Sequence, residues 1–261
     1  MHRLLDLETY PLDRPGSPEW QALVETCRAD LAANGMFNLG GLMRPEVAAQ
    51  VVAETSGLFD TDAFLHERRH NIYFSKVDGL APDHPALTQF DTSNRTLCAD
   101  QIGGSPLSQL YDWPEFARFL AAVMQMPQLH VMDDPLASVN VMSYHAGQAL
   151  NWHFDRSEFT TTLLLQGADS GGEFEYRNGL RSDDDPNYDG VARLVRGQDP
   201  QVRNIALTPG TLNVFRGKNT AHRVTPVQGA RNRVIAVLCY YQSPGVKFTD
   251  AERVGFYGRA S

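Results

Sequence analysis

The sequence predicts an α+β fold, in which a helical N-terminal half buttresses a C-terminal half built of short β-strands. Three observations carry this reading. Apolar residues recur at helical spacing through the first third, β-rich runs crowd the second half, and turn-forming dipeptides separate those runs. In the first third, Ser17-Pro18 supplies an N-cap and a proline at the first helical position, and Gly35 supplies a stop. Between them Trp20, Leu23, Val24, Cys27 and Leu31 share one helical face. A second helix is expected from Arg44-Pro45, carrying Val47, Val51, Val52 and Leu58. Residues 105–125, SPLSQLYDWPEFARFLAAVMQ, read as a helical pair broken at Trp113-Pro114, because proline lacks the N–H that the helix needs.

From about residue 129 the texture changes. LHVM, ASVNVMSYH, EFTTTLLLQ, GEFEY, RNIALT, GTLNVF, AHRVTPV and RVIAVLCYY are short runs rich in β-formers. Ala146-Gly147, Gly171-Gly172, Asn178-Gly179 and Pro209-Gly210 punctuate them. With little helix between them, they fit a β-sandwich, a jelly roll or a barrel. The acidic stretch RSDDDPNYDG (181–190) is expected to be a solvated loop. No linker divides the halves, so residues 1–261 are read as one domain, with 1–128 a mainly helical cover and 129–261 the β core.

A length of 261 residues suffices for a sizeable core. The formal charge of −8 repels phosphate backbones and anionic lipid, so neither a nucleic acid nor a membrane surface is an expected partner. No apolar run approaches the roughly 18 residues that span a bilayer. MHRLLDLETYPLDRP has no long apolar core and no small-residue cleavage site, so no signal peptide is expected. Cys27, Cys98 and Cys239 are widely spaced and form no CxxC pair. They read as isolated thiols in a reducing, cytoplasmic protein.

The chemistry centres on NWHFDRSEF (151–159). On an extended strand His153 and Asp155 point to the same face, which sets two metal donors side by side without a special loop. An HxD triplet alone is also read as a strand-end histidine with an aspartate partner. A third donor is offered by His222, at the start of a strand in GTLNVFRGKNTAHRVTPV. Two histidines and one carboxylate from neighbouring strands make the facial triad of non-haem iron sites, with coordination positions left open. Arg233 opens the strand RVIAVLCYY eleven residues past His222, and its planar fork suits a carboxylate. Arg231, two residues earlier, is its rival but belongs to a polar turn. Thr160 and Thr162 share a strand face and offer hydroxyl contacts, although β-propensity also accounts for them.

Taken together, these residues resemble the Fe(II)/2-oxoglutarate-dependent oxygenases, and within them the branch of free-amino-acid halogenases and hydroxylases. The stretches that carry the resemblance are LNWHFDRSEFTTTLLLQ, SGGEFEY, PGTLNVFRGKNTAHRVTPV and GFYGR, with RRHNIYF and LYDWPEFARFL in the helical half. The resemblance implies a double-stranded β-helix, the jelly-roll or cupin-like core, behind an N-terminal helical buttress. It implies that His153, Asp155 and His222 ligate Fe(II), and that 2-oxoglutarate chelates the metal with its distal carboxylate on Arg233 and Thr162 nearby. Dioxygen is the second co-substrate. In the halogenases of this branch a small residue stands where Asp155 stands here, which frees a position for chloride. Asp155 therefore points to hydroxylation or oxidative cyclisation.

The expected substrate is a small free amino acid or derivative. Arg95 and Arg156 are the candidate cations for its carboxylate, and Tyr257 reaches the pocket if the C-terminus folds back. Asn71, Tyr73 and His145 are weaker candidates. With no acidic cluster near the metal motif, a neutral or acidic amino acid suits the site better than lysine. Two rival readings are a jelly-roll binding protein that keeps its metal without turnover, and a protein-modifying oxygenase of the prolyl-hydroxylase kind.

Overall fold

A computed structural model describes residues 1–261. Its first helix, α1 (Pro18–Asn34), starts on Ser17, whose hydroxyl accepts the Trp20 N–H at 3.1 Å. It stops at Gly35, where a φ of 73° lies in the left-handed region open to glycine. The chain continues through β1 (Met36–Leu39), α2 (Pro45–Thr55), α3 (Leu58–Thr61), β2 (Phe64–His70), β3 (Phe90–Leu97), α4 (Pro106–Tyr111) and α5 (Pro114–Val123). Next come β4 (His130–Val131), β5 (Val139–Tyr144), β6 (Leu150–His153), β7 (Thr160–Gln166), β8 (Ser170–Gly171) and β9 (Phe174–Arg177). The remaining elements are α6 (Tyr188–Val195), β10 (Arg203–Ile205), β11 (Leu212–Phe215), β12 (Ala221–Val224), β13 (Val227–Gln228), β14 (Arg233–Leu238), β15 (Tyr240–Tyr241) and α7 (Asp250–Tyr257). No helix is long and apolar enough to cross a membrane.

Three details differ from the sequence reading. The second helix ends at Thr55, and Leu58 falls in a separate helical turn beyond the weak helix formers Ser56 and Gly57. The segment 1–128, read as a mainly helical cover, also supplies β1, β2 and β3, and all three join the large sheet. The acidic stretch is loop only as far as Asn187, whose side chain accepts the Gly190 N–H at 2.9 Å and caps α6.

Two antiparallel sheets make the core. The larger runs β1-β11-β7-β14-β5-β3-β2 and the smaller β10-β9-β12-β6. This is the α+β, jelly-roll arrangement, with α1, α2 and α5 packed on the larger sheet and α6 on the outer face of the smaller one. Alternation along each strand decides what faces where. On β14, Val234, Ala236 and Leu238 turn outward to the helical cover, joining Leu163, Leu165, Leu212, Val214, Phe116 and Phe119 in the main apolar core. Arg233, Ile235 and Val237 take the opposite face, toward the smaller sheet. Phe174 and Tyr176 of that sheet close on Met36 and Phe215 of the larger one.

The C-terminal segment folds back over one end of the sheets. Thr249 and Glu252 form a reciprocal capping box at the start of α7. The anchor is Asp134, whose side chain is 0% exposed. Its carboxylate accepts the backbone N–H groups of Leu136 and Ala137, both at 2.9 Å, and that of Phe248 at 3.0 Å. Arg253 Nε of α7 donates to it at 3.0 Å. Burial alone would raise this carboxyl's pKa, but the three N–H groups and the guanidinium outweigh it and hold the pKa below the usual value.

Asp134→Asn should therefore destabilise the fold by about 3 kcal/mol, the scale for breaking a buried, hydrogen-bonded ion pair. Chemical denaturation of the two proteins measures it. Because the folded pKa is lowered, the carboxylate's contribution is fully present above about pH 4 and is lost as pH falls through the folded value. The gap between the two proteins should accordingly narrow on acidification.

Candidate metal centre

β6 and β12 pair antiparallel with His153 directly opposite His222, and the two rings lie 4.0 Å apart. Trp152 and Phe154 point the other way, into an apolar cluster with Val191 and Leu194 of α6. Strand alternation thus turns residues 153 and 155 to the inside. The regular strand ends at His153. Beyond it, the Phe154 N–H donates to Ile72 O at 3.1 Å and the Asp155 N–H to Gly217 O at 3.0 Å, which keeps the chain extended far enough to present the carboxylate.

The tautomers follow from the partners. Nδ1 of His153 lies 2.8 Å from Asn151 O, and Nδ1 of His222 lies 2.9 Å from Thr220 O. A carbonyl only accepts, so in each ring Nδ1 carries the proton and Nε2 is left as a bare donor. Both Nε2 atoms lie 3.4 Å from an oxygen of the Asp155 carboxylate. All three donor atoms fall within 4.8 Å of one another. Burial, followed by the neighbouring His222, lowers the pKa of His153, which favours the neutral ring. Two lone pairs and a carboxylate aimed at one another repel unless a cation sits between them. The donor set therefore fits a divalent ion of the kind that imidazole and carboxylate take together.

The walls support the cluster. Phe215 and Phe174 flank His222 at 4.7 and 5.8 Å, and Phe74 meets His153 edge-on at 5.5 Å. Phe74 has a φ of 53° and is stacked on the buried His70 at 3.9 Å. Thr160 donates its hydroxyl to Asp155 Oδ2 at 2.5 Å. Gly217 lies against both: a Cβ there would come within 2.3 Å of Asp155 Oδ2 and 2.5 Å of Thr160 Oγ1.

Arg233 is 2% exposed on the inner face of β14, opposite Tyr144, whose ring lies 5.7 Å from its guanidinium carbon. Its Nη1 is buried with no acceptor in the chain, and no acidic residue pairs with it. Burial lowers its pKa, and such a cation needs an anionic partner. Arg231 instead lies exposed and pairs with Asp169 at 3.4 Å. Thr162 sits on the inner face of β7, in register with Asn213 of β11 and Val237 of β14, and Val237 is in register with Asn140 of β5. Tyr257 is buried and donates its hydroxyl to Asn140 Oδ1 at 2.9 Å, so the C-terminus does fold back onto this row.

The two other arginines part company. Arg156 leaves the metal loop on the outside, where it pairs with Glu252 at 2.8 Å and lies 6.0 Å from the Phe248 ring. Arg95 lies on the opposite face of its sheet from the metal cluster. It pairs in register with Ser143, shares the helix-covered side with Val141 and Leu97, and donates to Phe59 O at 3.1 Å. The structure does not bring it to the donor set, because a single-residue step along β3 reverses the face. His145 likewise stands apart, within Coulombic reach of Arg95. Asn71 closes its own turn through Ser75 O and the Tyr73 N–H, and Tyr73 donates to Pro186 O at 2.8 Å beside Phe154.

Sequence reasoning missed Asn213, Asn140 and Arg181. Asn213 is buried on the inner face and its Oδ1 finds no partner in the chain. The signal for both asparagines was legible as a lone amide inside an apolar strand, in GTLNVF and SVNVM. Arg181 lies 4.0 Å over Phe154 and within Coulombic reach of Asp155, a placement that comes from loop folding and leaves no trace in spacing.

The profile of the Halogenase D family matches residues 19–249. No curated protein sequence matches the chain. Among solved structures, the non-haem alpha-ketoglutarate-dependent epimerase SnoN from nogalamycin biosynthesis superposes with a TM-score of 0.60 at 15% identity, over 84% of this chain and 81% of that one. The same epimerase in complex with Fe3+, alpha ketoglutarate and nogalamycin RO gives a TM-score of 0.56 at 14% identity, over 84% of each chain. A prolyl-4-hydroxylase from Pseudomonas putida gives 0.51 at 15% identity, over 82% of this chain and 97% of that one. At these identities the likeness is one of fold.

Gly217→Ala tests the donor set without touching a donor. The added methyl must displace either the Asp155 carboxylate or Thr160, so Fe(II) affinity should fall tenfold or more in an anaerobic titration.

Proposed function

This chain belongs to the Halogenase D family, and from that premise we propose that it is an Fe(II)/2-oxoglutarate-dependent oxygenase of a small free amino acid or derivative. The observation that carries the reading is the pairing of two features inside one barrel. Three bare donors converge at His153, Asp155 and His222, and a buried guanidinium at Arg233 has no anion of its own. The first asks for a cation and the second for a carboxylate, and a keto-dicarboxylate on iron supplies both. The fold shared with an epimerase solved with iron and alpha ketoglutarate supports the same co-substrate.

His153 and His222 would hold the iron through Nε2, their rings fixed by the carbonyls of Asn151 and Thr220, and Asp155 would add its carboxylate. Iron bound there would supply dioxygen activation coupled to decarboxylation of 2-oxoglutarate, for oxidation of an unactivated C–H bond. Arg233 would receive the distal carboxylate of 2-oxoglutarate beside Tyr144 and Ile235, with Thr162 and Asn213 on the same inner face. Asp155 occupies the place that a halide would need. The expected outcome is hydroxylation or oxidative ring closure, despite the name of the family.

Arg156 and Tyr257 stand at the end of the barrel covered by the C-terminal segment, and there we assign them to the substrate. Arg156 would exchange Glu252 for the substrate carboxylate, and Tyr257 would hold Asn140 in place. The cover favours a small molecule over a protein substrate. The three unpaired cysteines are in keeping with a reducing compartment.

His153→Ala and His222→Ala should each abolish Fe(II)-dependent succinate formation. Arg233→Ala should raise the 2-oxoglutarate concentration for half-maximal turnover by a hundredfold or more, since a charge-assisted bidentate pair is worth about 3 kcal/mol. Arg231→Ala should leave it near the parent value. The reverse result for the two arginines would reassign the co-substrate pocket.

A further inference from the structure

A cavity beside the loop that follows Asp155 is lined by none of the three metal donors but comes within one side chain, Thr160, of the Asp155 carboxylate. It encloses about 370 Å³ between the ends of β7 and β14, the loop that follows Asp155 and the C-terminal segment. Thr160, which donates to the Asp155 carboxylate, stands in its wall, and Arg156, the residue after Asp155, stands at its rim. The volume falls in the range of small-molecule pockets.

Eleven of the seventeen lining residues are hydrophobic, among them Met126, Leu129, Phe159, Val237 and Phe256. Two of the hydroxyls in the wall are already engaged within the chain, Thr160 with Asp155 and Tyr240 with a backbone carbonyl. The Tyr240 hydroxyl donates to Tyr111 O at 2.8 Å and leaves its ring as the exposed surface. Burial pushes the Cys239 thiol up to about 12, so it stays uncharged. The one carboxylate in the wall, Glu158, is half exposed and lies 3.6 Å from Arg216.

Resting on the oxygenase reading above, we propose that this cavity takes the side chain of the substrate and that the substrate is an amino acid with a long, uncharged apolar side chain. Arg156 at the rim fits the carboxylate end, and the apolar wall fits the tail. An alanine-sized side chain leaves most of the cavity unfilled. A lysine side chain places an ammonium among methionine, leucine and phenylalanine without a counter-ion.

Equilibrium binding tests this, by anaerobic calorimetry on the full chain loaded with Fe(II) and 2-oxoglutarate. The probes are alanine, norvaline, norleucine, 2-aminooctanoic acid, phenylalanine and lysine. Affinity should rise about three- to fourfold with each added methylene until the cavity is filled. Lysine, isosteric with norleucine over most of its length, should bind at least a hundredfold more weakly than norleucine. Met126→Trp, which narrows the cavity, should move the optimum to shorter chains, and Phe256→Ala should move it to longer ones. Thermal unfolding checks that both variants are folded. Equal affinity along the series, lysine binding as tightly as norleucine, or an optimum that neither variant moves would overturn the proposal. Succinate formation, assayed in parallel, separates this from the underlying reading. A chain-length gradient without any succinate keeps the cavity assignment and removes the oxygenase; succinate without a gradient does the reverse.

Discussion

Two imidazole lone pairs and a carboxylate, each fixed by backbone and pointed at the others, form an arrangement that a cation makes favourable. The rest of the architecture serves that constraint. The register of β6 on β12 sets the histidines opposite each other. Carbonyls of Asn151 and Thr220 hold the protons on Nδ1. The Asp155 N–H reaches Gly217 O, and that glycine has no side chain to push the carboxylate away. Each device is weak alone, and together they keep three mutually repelling donors in place.

The second constraint is the uncompensated charge of Arg233. A guanidinium 2% exposed beside Tyr144, with Nη1 unpaired, is unfavourable in the chain by itself. The sheet holds it because β14 is paired on both sides and its outward residues are locked into the helical core. Packing on one face thus fixes an electrostatic need on the other. The far end of the barrel is arranged differently: there the buried Asp134–Arg253 pair is fully answered, and it holds the C-terminal segment down as a cover.

Much of this was legible in the sequence. The cap at Ser17, the stop at Gly35 and the break at Trp113-Pro114 fall where local chemistry puts them. His153, Asp155 and His222 converge as strand alternation and the distal histidine imply, and of the two arginines Arg233 is buried while Arg231 is exposed. β2 and β3 were missed because FLHERRH and FDTSNRTL are polar runs whose strand character comes from pairing in register. α6 was missed because its cap lies inside an acidic stretch that reads as loop. Arg95 shows the limit of reading by proximity, since which face of a strand a residue takes depends on register.

The most direct measurement of the central claim is anaerobic equilibrium dialysis of Fe(II) against the full chain and His222→Ala. One ion per chain, lost in the variant, is the expected result. Undiminished binding by the variant, or no binding by the parent chain at neutral pH, would contradict it.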